Sequence, residues 1–331
     1  MRVVVIGGSK FVGLHLTREL VSRGHEVTVV NRGQTAKELP AGVGRIIADR
    51  KEPAALAARV AEAGPWDAVY DCIAYVPAES EPLVRAVWTD PPGSRRVLKH
   101  FVHISTGSVY GKTDYLPLKE HFPCTADSDP GTYGSNKKLI EDLLFAAREN
   151  EGLPVTILRP GYIYGPDNPI YRESYFFDRV RRGRPVLVPG NGLTITQFVY
   201  VDDLARALAL VLGNGEAVGE AFNIAGEYGC SLDHYTRLIG EAVGRPADIR
   251  HYDPPAAGLS AEEIKKVFPY KWREHTLRDT TKIRQVLGYR EKHTLKQGLA
   301  EAYRWYVEHW PVRGEPDFTL DDRVLASGAA R

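Results

Sequence analysis

Three of the 331 residues are cysteine, and they stand far apart at positions 72, 124 and 230. An odd number without ligand-like spacing excludes a disulfide framework and argues against a zinc site, so a reducing compartment fits best. Of the ten histidines, His100 and His103 stand at HxxH spacing, but in an apolar run that reads as a strand, where i and i+3 face opposite sides, and no metal is expected. Neither sign of charge dominates: 43 Lys and Arg stand against 42 Asp and Glu, for a net +1. That excludes a chain that holds nucleic acid through its global charge, while a local basic patch stays open. No stretch approaches the roughly 20 apolar residues that span a bilayer. The opening apolar run stops at glycines and lacks a cleavage site, so no secretory leader is read and a cytoplasmic location is expected. There is no internal repeat and no low-complexity tract.

What is present is ordinary for a soluble globular enzyme: 43% hydrophobic and 26% charged residues. At roughly 150 residues per domain, the length suggests two domains or one large α/β unit with a lobe. Residues 3–6 form an apolar β-branched run closed by glycine, which predicts a buried parallel strand. Phe11, Leu14, Leu16, Leu20 and Val21 carry helical spacing, and Gly24 closes that helix. Residues 27–30 predict a second strand. Strands at 45–48, 68–73, 101–104 and 155–158 then alternate with helices at 54–63 and 133–148, the pattern of a doubly wound sheet. After about residue 160, glycine and proline become frequent and elements shorten. Helices at 201–212 and 232–243 flank a strand at 221–224, and an amphipathic helix covers 294–309. The tail after Trp310 is polar and expected to fray. The expected organisation is a nucleotide-binding domain over 1–160 and a substrate lobe over 161–310. Residues 193–225 return to the first domain, and 311–331 form a tail.

Gly7, Gly8, Ser9, Lys10, Phe11, Val12 and Gly13 lie between the first strand and first helix. Glycine lets backbone approach a pyrophosphate there, and the helix terminus offers unpaired N–H groups. The spacing is near GxxGxxG, with Lys10 where the middle glycine belongs. The second strand ends in Asn31 and Arg32 rather than an acid. A carboxylate suits a free ribose 2′-hydroxyl, whereas Arg32 attracts a 2′-phosphate, so NADP is favoured and NAD is the alternative. Asp49 and Arg50, after the third strand, and Ile73 and Ala74, after the fourth, complete the expected cofactor contacts.

Tyr133 and Lys137 stand at i and i+4, on one helix face. A free phenol ionises at about pH 10, and a neighbouring ammonium favours its phenolate. A shift of about three units corresponds to roughly 4 kcal/mol. Tyr133 is thereby placed to exchange a proton with a substrate oxygen. Upstream, Ser105-Thr106-Gly107-Ser108-Val109-Tyr110-Gly111 follows a strand whose carboxyl end faces the cofactor. Thr106 is positioned for the same oxygen, with Ser105 and Ser108 as fallbacks.

Together these segments resemble the extended short-chain dehydrogenase/reductase superfamily, in its NAD(P)-dependent epimerase/dehydratase group. The matching pieces are 7–13, 105–111, Tyr133 with Lys137, Arg159-Pro160-Gly161-Tyr162-Ile163-Tyr164-Gly165-Pro166, and Phe198-Val199-Tyr200-Val201-Asp202-Asp203. The resemblance implies a Rossmann-type doubly wound parallel sheet with a smaller C-terminal α/β substrate lobe. It also implies a catalytic set of Thr106, Tyr133 and Lys137, with Tyr133 and Lys137 also touching the cofactor. A homodimer formed through helices that include 133–148 is implied as well.

The sugar-nucleotide enzymes of that group usually carry Asn and Arg where this chain has Tyr162 and Gln197. Losing the cation weakens diphosphate binding. Arg273 either compensates or packs on Trp272. Substrate contacts are expected from Ser108, Tyr162, Gln197 and Arg273. Dehydratases carry an Asp-Glu pair after the threonine; Gly107-Ser108 argues against dehydration. Segments 175–179, 188–192, 196–198, 268–270, 281–283 and 287–289 resemble the chloroplast stem-loop RNA-binding proteins and their bacterial relatives. Plant members of that branch tend to lose the tyrosine that this chain keeps.

Arg179, Arg181, Arg182 and Arg184 form the notable basic cluster, either a phosphate track or a solvated helix face. Tyr303, Trp305, Tyr306 and Trp310 read as packing residues. The leading expectation is an NAD(P)-dependent epimerase or reductase acting at a hydroxyl or carbonyl carbon of a sugar-like substrate, free or nucleotide-linked. The alternative is an RNA-binding protein that uses the fold as a scaffold. A weaker third is a cofactor-binding regulator without chemistry.

Overall fold

The computed structural model describes residues 1–34, 38–88, 98–124, 131–309 and 315–331. Trp310 lies outside the described residues. In chain order the first elements are β1 (Arg2–Ile6), α1 (Phe11–Ser22), β2 (Glu26–Asn31), β3 (Gly44–Ile47), α2 (Pro53–Glu62), β4 (Ala68–Asp71), α3 (Pro77–Trp88), β5 (His100–Ile104), α4 (Tyr133–Glu151) and β6 (Val155–Pro160). Then come β7 (Tyr162–Tyr164), α5 (Glu173–Arg182), β8 (Val186–Pro189), β9 (Ile195–Thr196), β10 (Phe198–Tyr200), α6 (Val201–Val211) and β11 (Ala221–Ile224). The last are β12 (Cys230–Ser231), α7 (Leu232–Val243), β13 (Ile249–Tyr252), α8 (Ala261–Val267), α9 (Thr281–Leu287), α10 (Leu295–His309) and α11 (Thr319–Ala326).

Contacts divide the chain into two compact units. One comprises 1–161, 201–225 and 278–290; the other 162–200, 226–277 and 291–331. The first holds a seven-stranded, all-parallel sheet in the order β11-β6-β5-β4-β1-β2-β3. Strands β4, β5 and β6 are buried along their whole length, as strands covered on both faces must be. The chain runs outward from β1 to β3 and returns to β4 on the other side of β1. That reversal leaves a crevice at the carboxyl ends of β1 and β4, where open α/β sheets bind their ligands. Val4, Val69, Phe101, Ile140, Leu144 and Val155 belong to one core beneath this sheet.

The second unit is built on aromatic packing. Phe176, Phe198, Tyr235 and Tyr270 pack ring against ring, with Phe198 and Tyr235 stacked at 4.3 Å. Short two-stranded pairs frame it: β7 with β10, β8 with β13, and β9 with β12.

The tail differs from the expectation of fraying. Residues 319–326 form α11, and the Arg331 backbone pairs with His251. The physical reason is a buried ion pair: Arg179 donates to both oxygens of Asp321, at 2.7 and 2.8 Å. Among the described residues, no helix is long and apolar enough to cross a membrane.

Candidate functional site

The turn between β1 and α1 is shaped for close backbone approach. Gly7 takes φ +85°, a conformation that suits glycine. A Cβ on Gly13 would lie 2.9 Å from the Gly7 carbonyl carbon and 3.0 Å from Gly8 Cα. So α1 is seated directly on the turn. Phe11 opens the helix at φ 40°, strained for a side chain of its size. Lys10 provides no side-chain cap, and among the described residues no side chain caps the first N–H groups of α1. At the end of β2, Asn31 Oδ1 accepts from Gly33 N–H, while its buried Nδ2 has no partner among the described residues. Arg32 beside it is exposed. A glycine cradle, an uncapped helix terminus, an orphaned amide donor and an exposed cation together fit a dinucleotide.

The turn after β4 closes over this cradle. Ile73 packs against Gly7. Asp71 Oδ1 accepts from the N–H groups of Ile73 and Ala74, which fixes that turn. Arg50, expected to touch a cofactor, is instead buried in an ion pair with Asp71 and donates to the Glu79 carbonyl. Asp49 accepts from the Lys51 N–H.

β5 delivers the next group. Thr106 is extended and caps a short 3-10 turn, Gly107–Tyr110; its Oγ1 accepts from Ser108 N–H at 3.2 Å. The Thr106 hydroxyl proton therefore remains the group it can donate. Ser105 Oγ donates to Glu141 of α4 at 2.5 Å. Glu141 in turn is gripped by Arg159 through Nε and Nη2. Arg159 reaches the Tyr110 hydroxyl, which donates to Asn223. This buried network ties the turn after β5 to α4, β6 and β11. Gly107 admits the Arg278 guanidinium, which any Cβ there would overlap.

Thr132 caps α4 by accepting from Ser135 N–H. Tyr133 opens the helix and is 48% exposed, whereas Lys137, one turn on, is 2% exposed. Lys137 Nζ donates to the carbonyls of Ala74 at 2.8 Å and Ile104 at 2.5 Å. Lys137 thus links the turn after β4 to the end of β5. Burial pushes its ammonium down to about 8, against the opposing pull of Asp71 and Glu141. The structure therefore gathers the glycine turn, Ile73, Ala74, Thr106 and Lys137 at one end of one sheet. Two of its three N–H groups are taken by these backbone carbonyls.

Sequence reasoning did not single out Glu141, Arg159 or His103. Glu141 follows Lys137 at i+4, on the same helix face, a signal that was available. Its partner Arg159 lies 18 residues away, on a strand, and only the fold brings the two together.

The expected substrate contacts divide. Ser108 is exposed on its turn. The Tyr162 hydroxyl accepts from Lys271 N–H, and Arg172 lies 5.0 Å over its ring. Gln197 is buried and donates to the Gly226 carbonyl. Arg273 stacks on Trp272 at 4.4 Å, the packing role left open above. The basic cluster is largely matched by acids. Arg179 binds Asp321, Arg182 binds Asp178 and Glu315, and Arg184 binds Asp322.

A model of the NAD dependent epimerase/dehydratase family matches residues 3–225. The chloroplast stem-loop binding protein of 41 kDa b from Arabidopsis thaliana is 34% identical over 340 residues, covering 98% of this chain and 84% of its own. Among solved structures, UDP-glucose 4-epimerase of Thermotoga maritima, determined with UDP-glucose, superimposes with a TM-score of 0.75 at 24% identity. That match covers 94% of this chain and 100% of the other. UDP-glucose 4-epimerase of Thermus thermophilus, in complex with NAD, gives a TM-score of 0.74 at 23% identity, covering 93% and 100%. At these identities the structural likeness concerns the fold.

Proposed function

The chain belongs to the NAD dependent epimerase/dehydratase family, and we propose that it is an NAD(P)-dependent epimerase or reductase acting at a hydroxyl or carbonyl carbon of a sugar-like substrate, nucleotide sugars included. The observation that carries this reading is the arrangement of Tyr133 and Lys137. An exposed phenol stands one helical turn from a buried ammonium, where β5 ends beside the glycine cradle.

A nicotinamide dinucleotide, held by residues 7–13, Asn31 and Arg32, would supply and take up the hydride. This chain's own residues move the proton. Tyr133 gives its hydroxyl proton to a substrate carbonyl oxygen in the reducing direction and takes one from a substrate hydroxyl in the oxidising direction. Thr106 donates to the same oxygen, since its own Oγ1 already accepts from Ser108 N–H. Lys137 contributes fixed positive charge. Arg32 favours NADP through a 2′-phosphate; the NAD in the Thermus epimerase supports the alternative. Association of two copies through α4, which exposes Leu139, is part of the proposal.

The test is turnover with NADPH or NADH over a panel of UDP- and dTDP-linked sugars, preceded by mass spectrometry for carried-over cofactor. Retained cofactor supports epimerisation, and exchangeable cofactor supports reduction. Tyr133→Phe should lower turnover by about 10²- to 10⁴-fold with cofactor affinity kept. Undiminished turnover would falsify the assignment. The second reading, an RNA-binding scaffold, draws on the name of the Arabidopsis relative. It requires salt-sensitive RNA affinity through arginines that here already have acidic partners.

A further inference from the structure

Lys137 has three N–H donors. The Ala74 and Ile104 carbonyls take two, and Nε2 of His103, at 3.4 Å, stands as the third acceptor. His103 is wholly buried in β5, between Val102 and Ile104. Its Nδ1 is buried and has no partner among the described residues. An unmade buried N–H is unfavourable, and an aliphatic side chain would fill the same place without one. Burial, then the charges of Lys137 and Arg50, hold His103 well below the usual histidine range. The ring is therefore neutral and does not carry the proton. A neutral ring beside an ammonium turns its lone-pair nitrogen toward the charge. Nε2 is that nitrogen, and the ring proton sits on Nδ1, where nothing accepts it.

We infer that His103 is a positioning residue for Lys137: its Nε2 accepts the third hydrogen bond of the ammonium and fixes Nζ at the carboxyl end of β5, one helical turn from Tyr133. The inference rests on the acid/base reading of Tyr133 and Lys137. The charged and titratable groups around Nζ are Asp71 and Cys72 at the end of β4, Arg50 after β3, Glu141 on α4, and the Tyr75 ring at 5.8 Å. Asp71 is paired with Arg50, and Glu141 with Arg159. The ammonium is thus held by neutral acceptors. Two of them belong to the backbone, and His103 is the side chain among them.

The test follows the Lys137 Nζ resonance against pH by NMR in the full chain, assigned with Lys137→Arg, together with the His103 ring nitrogens. Wild type should titrate at about 8. His103→Leu should titrate lower by about one pH unit, because hydrogen bonding favours the charged form and one acceptor is gone. His103→Gln keeps an acceptor and should restore most of the shift. The alkaline limb of cofactor affinity should move in step. The wild-type ring should carry its proton on Nδ1 at neutral pH, a measurement that needs no variant. A Leu variant that titrates like wild type, or a ring protonated on Nε2, overturns the inference. Tyr133→Phe keeps both Lys137 and His103, so its turnover tests the catalytic reading separately.

Discussion

Replacing Gly13 with alanine tests whether the cradle needs its close backbone approach. The added Cβ would meet the Gly7 carbonyl carbon at 2.9 Å and Gly8 Cα at 3.0 Å, with the Gly7 oxygen nearer still. All three atoms are backbone, so no rotamer change relieves the overlap. Either α1 lifts or the turn deforms. Overpacking of this kind costs about 1–3 kcal/mol. The same displacement moves the N–H groups at the start of α1 away from the phosphates they are proposed to bind. Loss of about 1.4 kcal/mol there is tenfold in affinity. The expected outcome is a urea midpoint lowered by that destabilisation and NAD(P)H affinity reduced more than about tenfold. Gly215→Ala is the control: nothing lies within 4 Å of its Cβ position, and its φ is not positive. It should change stability by less than about 0.5 kcal/mol. If Gly13→Ala matches that control in stability and binds cofactor like wild type, the cradle argument is wrong.

Asp321→Ala should destabilise by about 3–5 kcal/mol in urea unfolding, because it leaves the buried Arg179 guanidinium uncompensated; a loss below about 1 kcal/mol would mean that the tail is not what neutralises Arg179. Arg32→Ala should weaken NADPH by about 10- to 100-fold and NADH far less, read by calorimetry; equal losses would remove the 2′-phosphate reading. Lys137 bears on pH. Its folded value, about 8, lies below the unfolded 10.5, so the unfolded chain holds more protons between them. Stability should therefore rise as pH climbs through that window, and Lys137→Met should gain roughly 1–3 kcal/mol at pH 7 while losing activity. A wild-type stability that stays flat from pH 8 to about 10 contradicts this.

The sheet was legible because most of its strands carry short apolar runs, that of β1 closed by glycine, and because α1 and α4 carry 3.6-residue spacing. α5 was not, since its buried residues include Glu173, Asp178 and Arg179, so polarity does not mark its solvent face. α3 was obscured by Pro82 inside the helix. The tail misled for a different reason: Asp321 acquires meaning only beside Arg179, 142 residues earlier. The same limit applies near Lys137. The glycine turn and the Tyr133 and Lys137 spacing are local patterns. His103 reaches Nζ across 34 residues of chain, from a strand buried on both sides, where period-two alternation says nothing about which side chain meets what.

Two kinds of cation in this chain are treated in opposite ways, and the contrast bears on function. Two of the three arginines of α5 are matched by acids: Arg179 by Asp321, and Arg182 by Asp178 and Glu315. Arg179 also lies 3.4 Å over the Tyr175 ring. Such pairs hold structure together and leave little net charge for a polyanion to read. Lys137 is buried as deeply as Arg179, yet among the described residues it has no carboxylate of its own. The nearby acids, Asp71 and Glu141, are each bound to an arginine. Its ammonium rests on carbonyls and an imidazole, and burial pushes its value down, which makes the charge a cost to the fold. An uncharged side chain there would be more stable. A charge kept at a stability cost, beside an exposed phenol and a glycine cradle, is what the proposed proton-transfer role calls for and what a bare scaffold would not need.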